Sequence, residues 1–505
     1  MHFSSTCISN ALYWIRPFIG LQGAAMSSVQ GTRPIYFTSL TLENVRCFGE
    51  SQTLNLTDEN GNPARWTIIL GSNNSGKTTL LQCLAWMRPE PEEPTADNQR
   101  RKKKGKESRD TDSDLENVVL APAISSEENE VLESLIRVGD AVSLNLVSSL
   151  RQGQRFDSND VGTDLRIGIR IFGEQGKLKG SELTDKHVEE LGKYKEQELH
   201  VIAYGANRHM GAQNVSGAAL EDPIALRLST GTELYDAEEI LEELDYAAAK
   251  KAYSGRAHDN LERLKGILVS ILPGIRERDD IKILGPKVLG APDETDEPHG
   301  VRFNTFSGLV PLGALSLGYQ TTLAWTIDLA YRLFNYYPNS ENPLNEPAVV
   351  LIDEIDLHLH PKWQRTIMKH LNVLFPGTQF IVTAHSPLIV QAATEANIIV
   401  LKQDGDHIII DSNPHVVREW RVDQILTSEL FDIKSARSPR LEALINERDQ
   451  LLDQATRSPA DEDRLKEIEK ALEVLPTATS QQDQDAMDLI RRAASLLDST
   501  RIPQP

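Results

Sequence analysis

Gly71-Ser72-Asn73-Asn74-Ser75-Gly76-Lys77-Thr78 decides the reading of this chain. Two glycines bracket a run of small polar residues, and Lys-Thr follows. Such a loop turns its backbone N–H groups around phosphates. Its lysine reaches the β- and γ-phosphates, and its threonine hydroxyl can hold Mg²⁺. Residues 66–70, just before it, are a short apolar run suited to a buried strand, and residues 78–87 read as a helix. Strand, glycine-rich loop and helix stand in the order that a phosphate-binding loop requires.

Four distant segments fit around that loop. Asp353-Glu354-Ile355-Asp356 follows the continuous apolar run 348–352, the pattern of a parallel strand buried on both faces. Asp353 then suits the Mg²⁺ shell, and Glu354 suits the carboxylate that polarises an attacking water. Thr383-Ala384-His385-Ser386 ends another apolar strand, 379–383. Open α/β sheets collect ligands at such strand ends. Leu315-Ser316-Leu317-Gly318-Tyr319-Gln320 opens a helix over 318–334 with Ser and Gly, an anion site at a helix N-terminus. Arg46-Cys47-Phe48 closes the first strand region.

The rest of the chain sets the frame. At 505 residues it holds a large core, with 53 Lys and Arg against 74 Asp and Glu and a net charge of -21. That balance excludes a generic cationic nucleic-acid binder but leaves room for a local basic groove. Cys7, Cys47 and Cys83 are far apart, without metal-ligand spacing, which fits a reducing cytoplasm. Residues 1–33 read as a poorly ordered leader, with Met26 as an alternative start. Residues 89–116 read as a disordered charged loop, whose basic run 100–106 is a solvated face rather than a nucleic-acid patch.

Further strands are expected at 38–45, 52–56, 165–172, 199–204 and 397–401, with a helix over 361–374. A helical insertion is expected over about 180–275, with Ala237, Leu241, Leu244 and Ala248 on one face and Leu261, Leu264, Leu268 and Ile271 on another. Beyond 436 a helical extension follows, with helices at 439–455 and 459–475 capped by Ser438 and Ser458, and a last one at 484–497. The fold class is α/β, a P-loop NTPase head spanning 34–435, with the helical insertion and the C-terminal extension 436–505. No run is long enough for a transmembrane helix.

Together the five segments resemble an ABC-type ATPase head. Leu42-Glu43-Asn44-Val45-Arg46-Cys47-Phe48, Asp353 to Pro361 and Thr383 to Pro387 resemble the RecF-like and SMC-like branch of AAA-family ATPases. More narrowly, Tyr204-Gly205-Ala206-Asn207-Arg208 and Trp420-Arg421-Val422-Asp423-Gln424-Ile425-Leu426 are similar to the ATPase subunit of Septu-type and retron-associated anti-phage systems. The resemblance implies ATP and Mg²⁺ as cofactors. Glu354 and His385 would be catalytic, the histidine sensing γ-phosphate. Arg46, Gly71, Ser72, Asn73, Asn74, Ser75, Gly76, Lys77, Thr78 and Thr79 would bind nucleotide, joined by Ser316, Gly318, Gln320 and Asp356. Thr78 and Asp353 would hold Mg²⁺. It also implies two heads sharing ATP sites in a homodimer or higher oligomer, and a separately encoded nuclease effector in phage defence. DNA is a further candidate partner, its binding left open by the sequence, and no membrane is implied.

A RecF-like repair ATPase clamping DNA is the alternative reading. A transporter ATPase fits poorly with the long insertion between Thr79 and Leu315. Two departures stand out. Leu317 occupies a position where many transporters carry Gly, and the Q-loop glutamine has only Gln152 and Gln154 as candidates. His358 and His360 belong, by resemblance, to an extended D-loop rather than to a metal cluster.

Overall fold

Two sheets of opposite character organise the chain. In chain order the elements are β1 (Ile35–Glu43), β2 (Gln52–Asn55), β3 (Trp66–Gly71), α1 (Lys77–Trp86), β4 (Ser143–Gln152), β5 (Thr163–Glu174), β6 (Lys177–Lys186) and β7 (Val201–Tyr204). There follow α2 (Ala237–Ala249), α3 (Ser254–Ile271), α4 (Leu317–Tyr336), β8 (Ala348–Ile352), α5 (Ile367–Leu374), β9 (Thr378–Thr383), β10 (Asn397–Asp404) and β11 (His407–Asp411). Helices α6 (Pro439–Leu452) and α7 (Pro459–Glu473) close the series.

The computed structural model describes residues 34–91, 120–122, 143–153, 162–174, 177–186, 199–213, 232–250, 254–272, 274–284, 300–305, 308–412, 420–428, 437–454 and 458–473, with a few isolated positions. The leader 1–33, the charged loop from 92 on, Gln154 and the helix expected at 484–497 lie outside the described residues.

The antiparallel sheet runs β2-β1-β4-β5-β6. Strand β4 alternates buried and half-exposed residues along most of its length, so only one face enters the core. The second sheet runs β11-β10-β3-β9-β8-β7, and all but β11 are parallel to their neighbours. Every residue of β8 and β9 is buried, as continuous apolar runs require. One core joins Leu40 and Leu42 of β1, Leu144 and Leu146 of β4, Leu80 and Leu84 of α1, and Leu351 and Ile381 of the parallel sheet. Helix α1 is buried at every position except Thr78. Gln379 fastens the two sheets: its amide donates to the carbonyls of Phe37 (2.9 Å) and Ala64 (3.1 Å) and accepts from Phe37 N–H (2.9 Å).

Three expectations change. The helical insertion expected over about 180–275 is helical mainly in its second part, at Ala237–Ala249 and Ser254–Ile271, whereas most described residues between 180 and 235 are in strands. The helix over 361–374 is two pieces, Pro361–Gln364 and α5. The chain divides into compact units Met1–Ile425 and Leu426–Pro505, ten residues before the boundary at 435. Within the second unit, α6 and α7 enclose Leu451, Leu465 and Ile468. Ser438 Oγ accepts Leu441 N–H at 3.4 Å and Ser458 Oγ accepts Asp461 N–H at 3.3 Å, each ahead of a proline at the first helical position.

Candidate active site

The order of the parallel sheet brings the motifs together. Strands β3, β9, β8 and β7 are neighbours in that order, so their C-terminal ends form one row: the glycine-rich loop, then His385, then Asp353-Glu354, then the turn leading to Arg208. Residues 71, 385, 354 and 208 are scattered along the chain and meet only through strand pairing.

The loop after β3 is tightly walled. A side chain on Gly71 would meet Ser75 Oγ at 2.5 Å. Gly76 has φ +86°, and a Cβ there would strike Cys47 Sγ at 2.6 Å and the Phe48 ring at 2.7 Å. The Arg46-Cys47-Phe48 segment is therefore the outer wall of the loop. Arg46 itself donates Nη1 to Thr79 Oγ1 at 3.1 Å. Asn74 is left-handed, φ 64°, a conformation asparagine tolerates. Helix α1 opens at Lys77 without any side-chain cap, leaving its N-terminal N–H groups for an anion. Ser75 Oγ is buried with no partner among the described residues. Lys77 Nζ folds onto the carbonyls of Gly71 (2.9 Å) and Ser72 (2.8 Å). Burial pushes the Lys77 ammonium down from its ordinary range, opposed by Asp353, Glu354 and Asp356. An open helix start, an unpartnered hydroxyl and a buried ammonium match a polyphosphate.

Asp353 is 5% exposed and doubly held: Oδ2 accepts Thr78 Oγ1 at 2.7 Å and Oδ1 accepts Thr383 Oγ1 at 2.6 Å. Its N–H donates to Tyr204 O at 2.8 Å. The hydroxyl of Thr78 beside a carboxylate is a hard-oxygen pair suited to Mg²⁺, which takes one or two protein oxygens and completes its shell with water and phosphate. Thr383 Oγ1 also accepts Glu354 N–H at 2.7 Å. Glu354 sits at φ 49°, left-handed backbone that costs a non-glycine residue about 1–3 kcal/mol and persists only where the surroundings fix it. Asp356 Oδ2 accepts the His385 backbone N–H at 3.0 Å, so Asp356 shapes the turn carrying His385. Gln364 adds a second tie, accepting Ser386 Oγ at 2.7 Å and donating to Leu359 O at 3.1 Å.

The segment 315–320 is placed differently. Ser316 is the N-cap residue of α4, but its side chain makes no capping bond. Gln320 Nε2 donates to Gly313 and Leu315 carbonyls, both at 2.8 Å. A Cβ on Gly318 would fall on the His358 carbonyl oxygen, and Tyr319 packs edge-on to Trp363, ring centroids 6.1 Å apart. Among the described residues, no hydrogen bond joins Ser316, Gly318 or Gln320 to residues 71–79. Gln152 pairs with Ile35 and Thr163 in the antiparallel sheet, its place there being structural.

Residues 39–251 match the family described as "AAA domain", and residues 218–391 match "AAA domain, putative AbiEii toxin, Type IV TA system". Both matched families are AAA-type domains, and between them the matches run from residue 39 to residue 391. The chain is 39% identical over 143 residues to "Retron Vc95 probable ATPase" of Vibrio cholerae serotype O1 biovar El Tor, covering 28% of this chain and 26% of the relative. It is 51% identical over 88 residues to "Retron Ec83 probable ATPase" of Escherichia coli, covering 17% and 16%. It is 33% identical over 134 residues to "Septu protein PtuA" of Bacillus mycoides (strain KBAB4), covering 26% and 18%. The matched stretches thus span about a quarter or less of these relatives' own lengths. A solved SMC head bound to the C-winged helix domain of ScpA aligns with TM-score 0.39 at 15% identity, over 74% of this chain and 97% of that one. Among the described residues, no helix is long and apolar enough to cross a membrane.

Two site residues escaped the motif reading. In the sequence Thr383 reads only as the start of the His385 segment, yet it ties Asp353 to Glu354. Arg208, which carries only the family resemblance in the sequence, is 7% exposed and donates Nη1 to Asp353 O at 2.7 Å and Nη2 to Glu354 O at 2.8 Å. Burial lowers its guanidinium to about 10, against the pull of Asp353, Glu354 and Asp356; it remains a cation at neutral pH. The available signal was position: an arginine just past the apolar strand 201–204 falls at the ligand edge of a parallel sheet.

Proposed function

We propose that this chain binds ATP with Mg²⁺ and hydrolyses it to ADP and phosphate. The observation that carries the reading is Asp353, bonded to Thr78 of the phosphate loop on one side and to Thr383 on the other, with Glu354 next in line. Residues 71–78 bind the phosphates and Lys77 leaves its loop carbonyls for the β- and γ-oxygens. Thr78 and Asp353 hold Mg²⁺, which when bound neutralises charge on the phosphates. Glu354 accepts a proton from water as the water oxygen attacks the γ-phosphorus. The bond to the β,γ-bridging oxygen breaks, and its electron pair leaves with ADP. His385 contacts the γ-phosphate. Arg46 and Thr79 complete the nucleotide wall.

Two heads pair around ATP, each signature (Ser316, Gly318, Gln320) and Asp356 turn serving the partner's phosphate loop. Pairing controls a separately encoded nuclease in anti-phage defence, recruited through residues 436–505. The retron and Septu names of the relatives support the defence role. The decisive experiment is Glu354→Gln. The amide cannot accept the proton, so hydrolysis is expected to fall about 10²–10⁴-fold. ATP binding persists and a nucleotide-bound dimer accumulates on size exclusion. Normal turnover in this variant would refute the assignment. A chain ending at Arg437 is expected to keep ATP binding and lose the effector in pull-down from co-expressing cells.

A further inference from the structure

Glu354 has half-buried surroundings and no hydrogen bond on its carboxylate among the described residues, so its direction is set by its backbone. That backbone is left-handed. Both of its peptide groups are held: its N–H by Thr383 Oγ1 at 2.7 Å, its carbonyl by Arg208 Nη2 at 2.8 Å and by Leu357 N–H at 3.1 Å. The carbonyl of Asp353 takes Arg208 Nη1 at 2.7 Å. One planar guanidinium therefore spans two successive carbonyls and fixes the orientation of the peptide between Asp353 and Glu354. Only arginine offers donors in a rigid fork.

Arg208 is itself anchored. It follows β7 by four residues, and Nη1 also reaches Gly205 O at 3.1 Å. Tyr204, the last residue of β7, accepts Asp353 N–H and donates its hydroxyl to Asp328 at 2.7 Å. Asp328 is a fully buried residue of α4, the helix that begins with the signature, and Arg332 Nε donates to it at 2.7 Å. The Arg208 contacts run to carbonyl oxygens, and its Nε is buried with no partner among the described residues. A buried guanidinium that pairs with no carboxylate among the described residues, and instead clamps the two peptides flanking a strained glutamate, has a geometric task.

We propose that Arg208 is a positioning residue for ATP hydrolysis: its fork on the Asp353 and Glu354 carbonyls holds the Glu354 carboxylate where it can take the proton of the attacking water. The proposal rests on the role of Glu354 given above. Arg208 touches neither nucleotide nor water and acts through Glu354. A merely structural arginine would instead lower stability and nucleotide affinity without a selective effect on turnover.

The test uses the full-length chain with Mg-ATP. Arg208→Lys keeps the buried charge but cannot span both carbonyls. Misplacement of a reacting group by about 1 Å costs on the order of 10²-fold, so kcat is expected to fall about 10- to 100-fold. The ATP Kd, measured with a fluorescent ATP analogue, should stay within about threefold, since ground-state binding does not use the fork. In a Glu354→Gln background, Arg208→Lys should lower the residual rate no further, because the two act as one unit. If Arg208→Lys does not fold by circular dichroism, Arg208→Gln, an uncharged amide able to bond one carbonyl, is read the same way. Wild-type kcat in the folded variant overturns the proposal. So does an equal loss of affinity and turnover, or an additive loss in the Glu354→Gln background. Normal turnover of Glu354→Gln alone sinks the role of Glu354 instead, whereas an inactive Glu354→Gln beside a fully active Arg208→Lys sinks only the role of Arg208.

Discussion

The phosphate side and the signature side of this head are built on different terms. Around Gly71–Thr78 (residues 71–78) the polar atoms interlock across strands: Thr78, Asp353, Thr383 and Glu354 form one chain of bonds between 2.6 and 2.7 Å. The signature, by contrast, spends Gln320 on its own loop, leaves Ser316 uncapped and exposes Leu317 by 61%. Its firm contacts run to His358 and Trp363, in the turn after Glu354. The phosphate side is tied together by bonds within one chain; the signature side leaves the Ser316 side chain without a capping bond and Leu317 exposed. The turn 355–364 joins the two.

The sharpest way to break this comparison is Ser316→Arg. Hydrolysis is expected to fall to background while ATP binding by the single chain stays within about threefold, because the phosphate side does not use Ser316. Mixing this variant with Lys77→Ala should rebuild one working shared site, read as returning phosphate release. Mixtures that remain inactive under subunit exchange would put both sides of the site in one chain.

Thr383→Val probes the interlock. It strands one Asp353 oxygen and the Glu354 N–H, so stability should drop by about 2–3 kcal/mol in urea unfolding. The same variant should lose turnover with little change in ATP affinity. An unchanged midpoint would mean that water replaces the hydroxyl and that the interlock is loose.

Gly318→Ala tests the contact between signature and turn. A Gly to Ala change in a free helix is stabilising by about 1 kcal/mol. Here the methyl meets the His358 carbonyl, and forced repacking costs about 1–3 kcal/mol. A net loss of up to about 2 kcal/mol in thermal unfolding is expected. A gain would show that the turn yields freely.

The smallest effect is on pH. Cys83, fully buried in α1, has its thiol raised by burial to about 12. Between the ordinary thiol range and that value the unfolded chain releases a proton that the folded chain keeps. The contribution is therefore intact at neutral pH and is lost as pH rises, by up to about 1.4 kcal/mol per unit. The alkaline fall in unfolding midpoint should be shallower in Cys83→Ala than in the parent. Equal slopes would mean the thiol ionises in place.

Much of this was legible without coordinates. The apolar run before Asp353 and the loop before Lys77 are local signals, and β8 and β3 stand where those signals place them. The cap residues Ser438 and Ser458 were equally local. The stretch Lys177–Lys186 was not: it is rich in charge and small polar residues, and it is a strand because β5 offers it a ladder. The bonds from Thr383 to Asp353, from Arg208 to Asp353 and between Gln379 and Phe37 span 30 to 342 residues, beyond any periodicity.

The sequence by itself determined the chemical inventory: a phosphate loop, paired acids after a buried strand, a histidine turn, a serine–glycine helix start, and their order along the chain. Each is a short-range pattern, since backbone geometry and burial act within a few residues of one another. Only the tertiary structure decided which strand ends stand side by side, that Glu354 is held left-handed by Thr383 and Arg208, and that the signature leans on the His358 turn. Those are hydrogen bonds and steric contacts between segments far apart in the chain, and strand pairing is what brings them within reach.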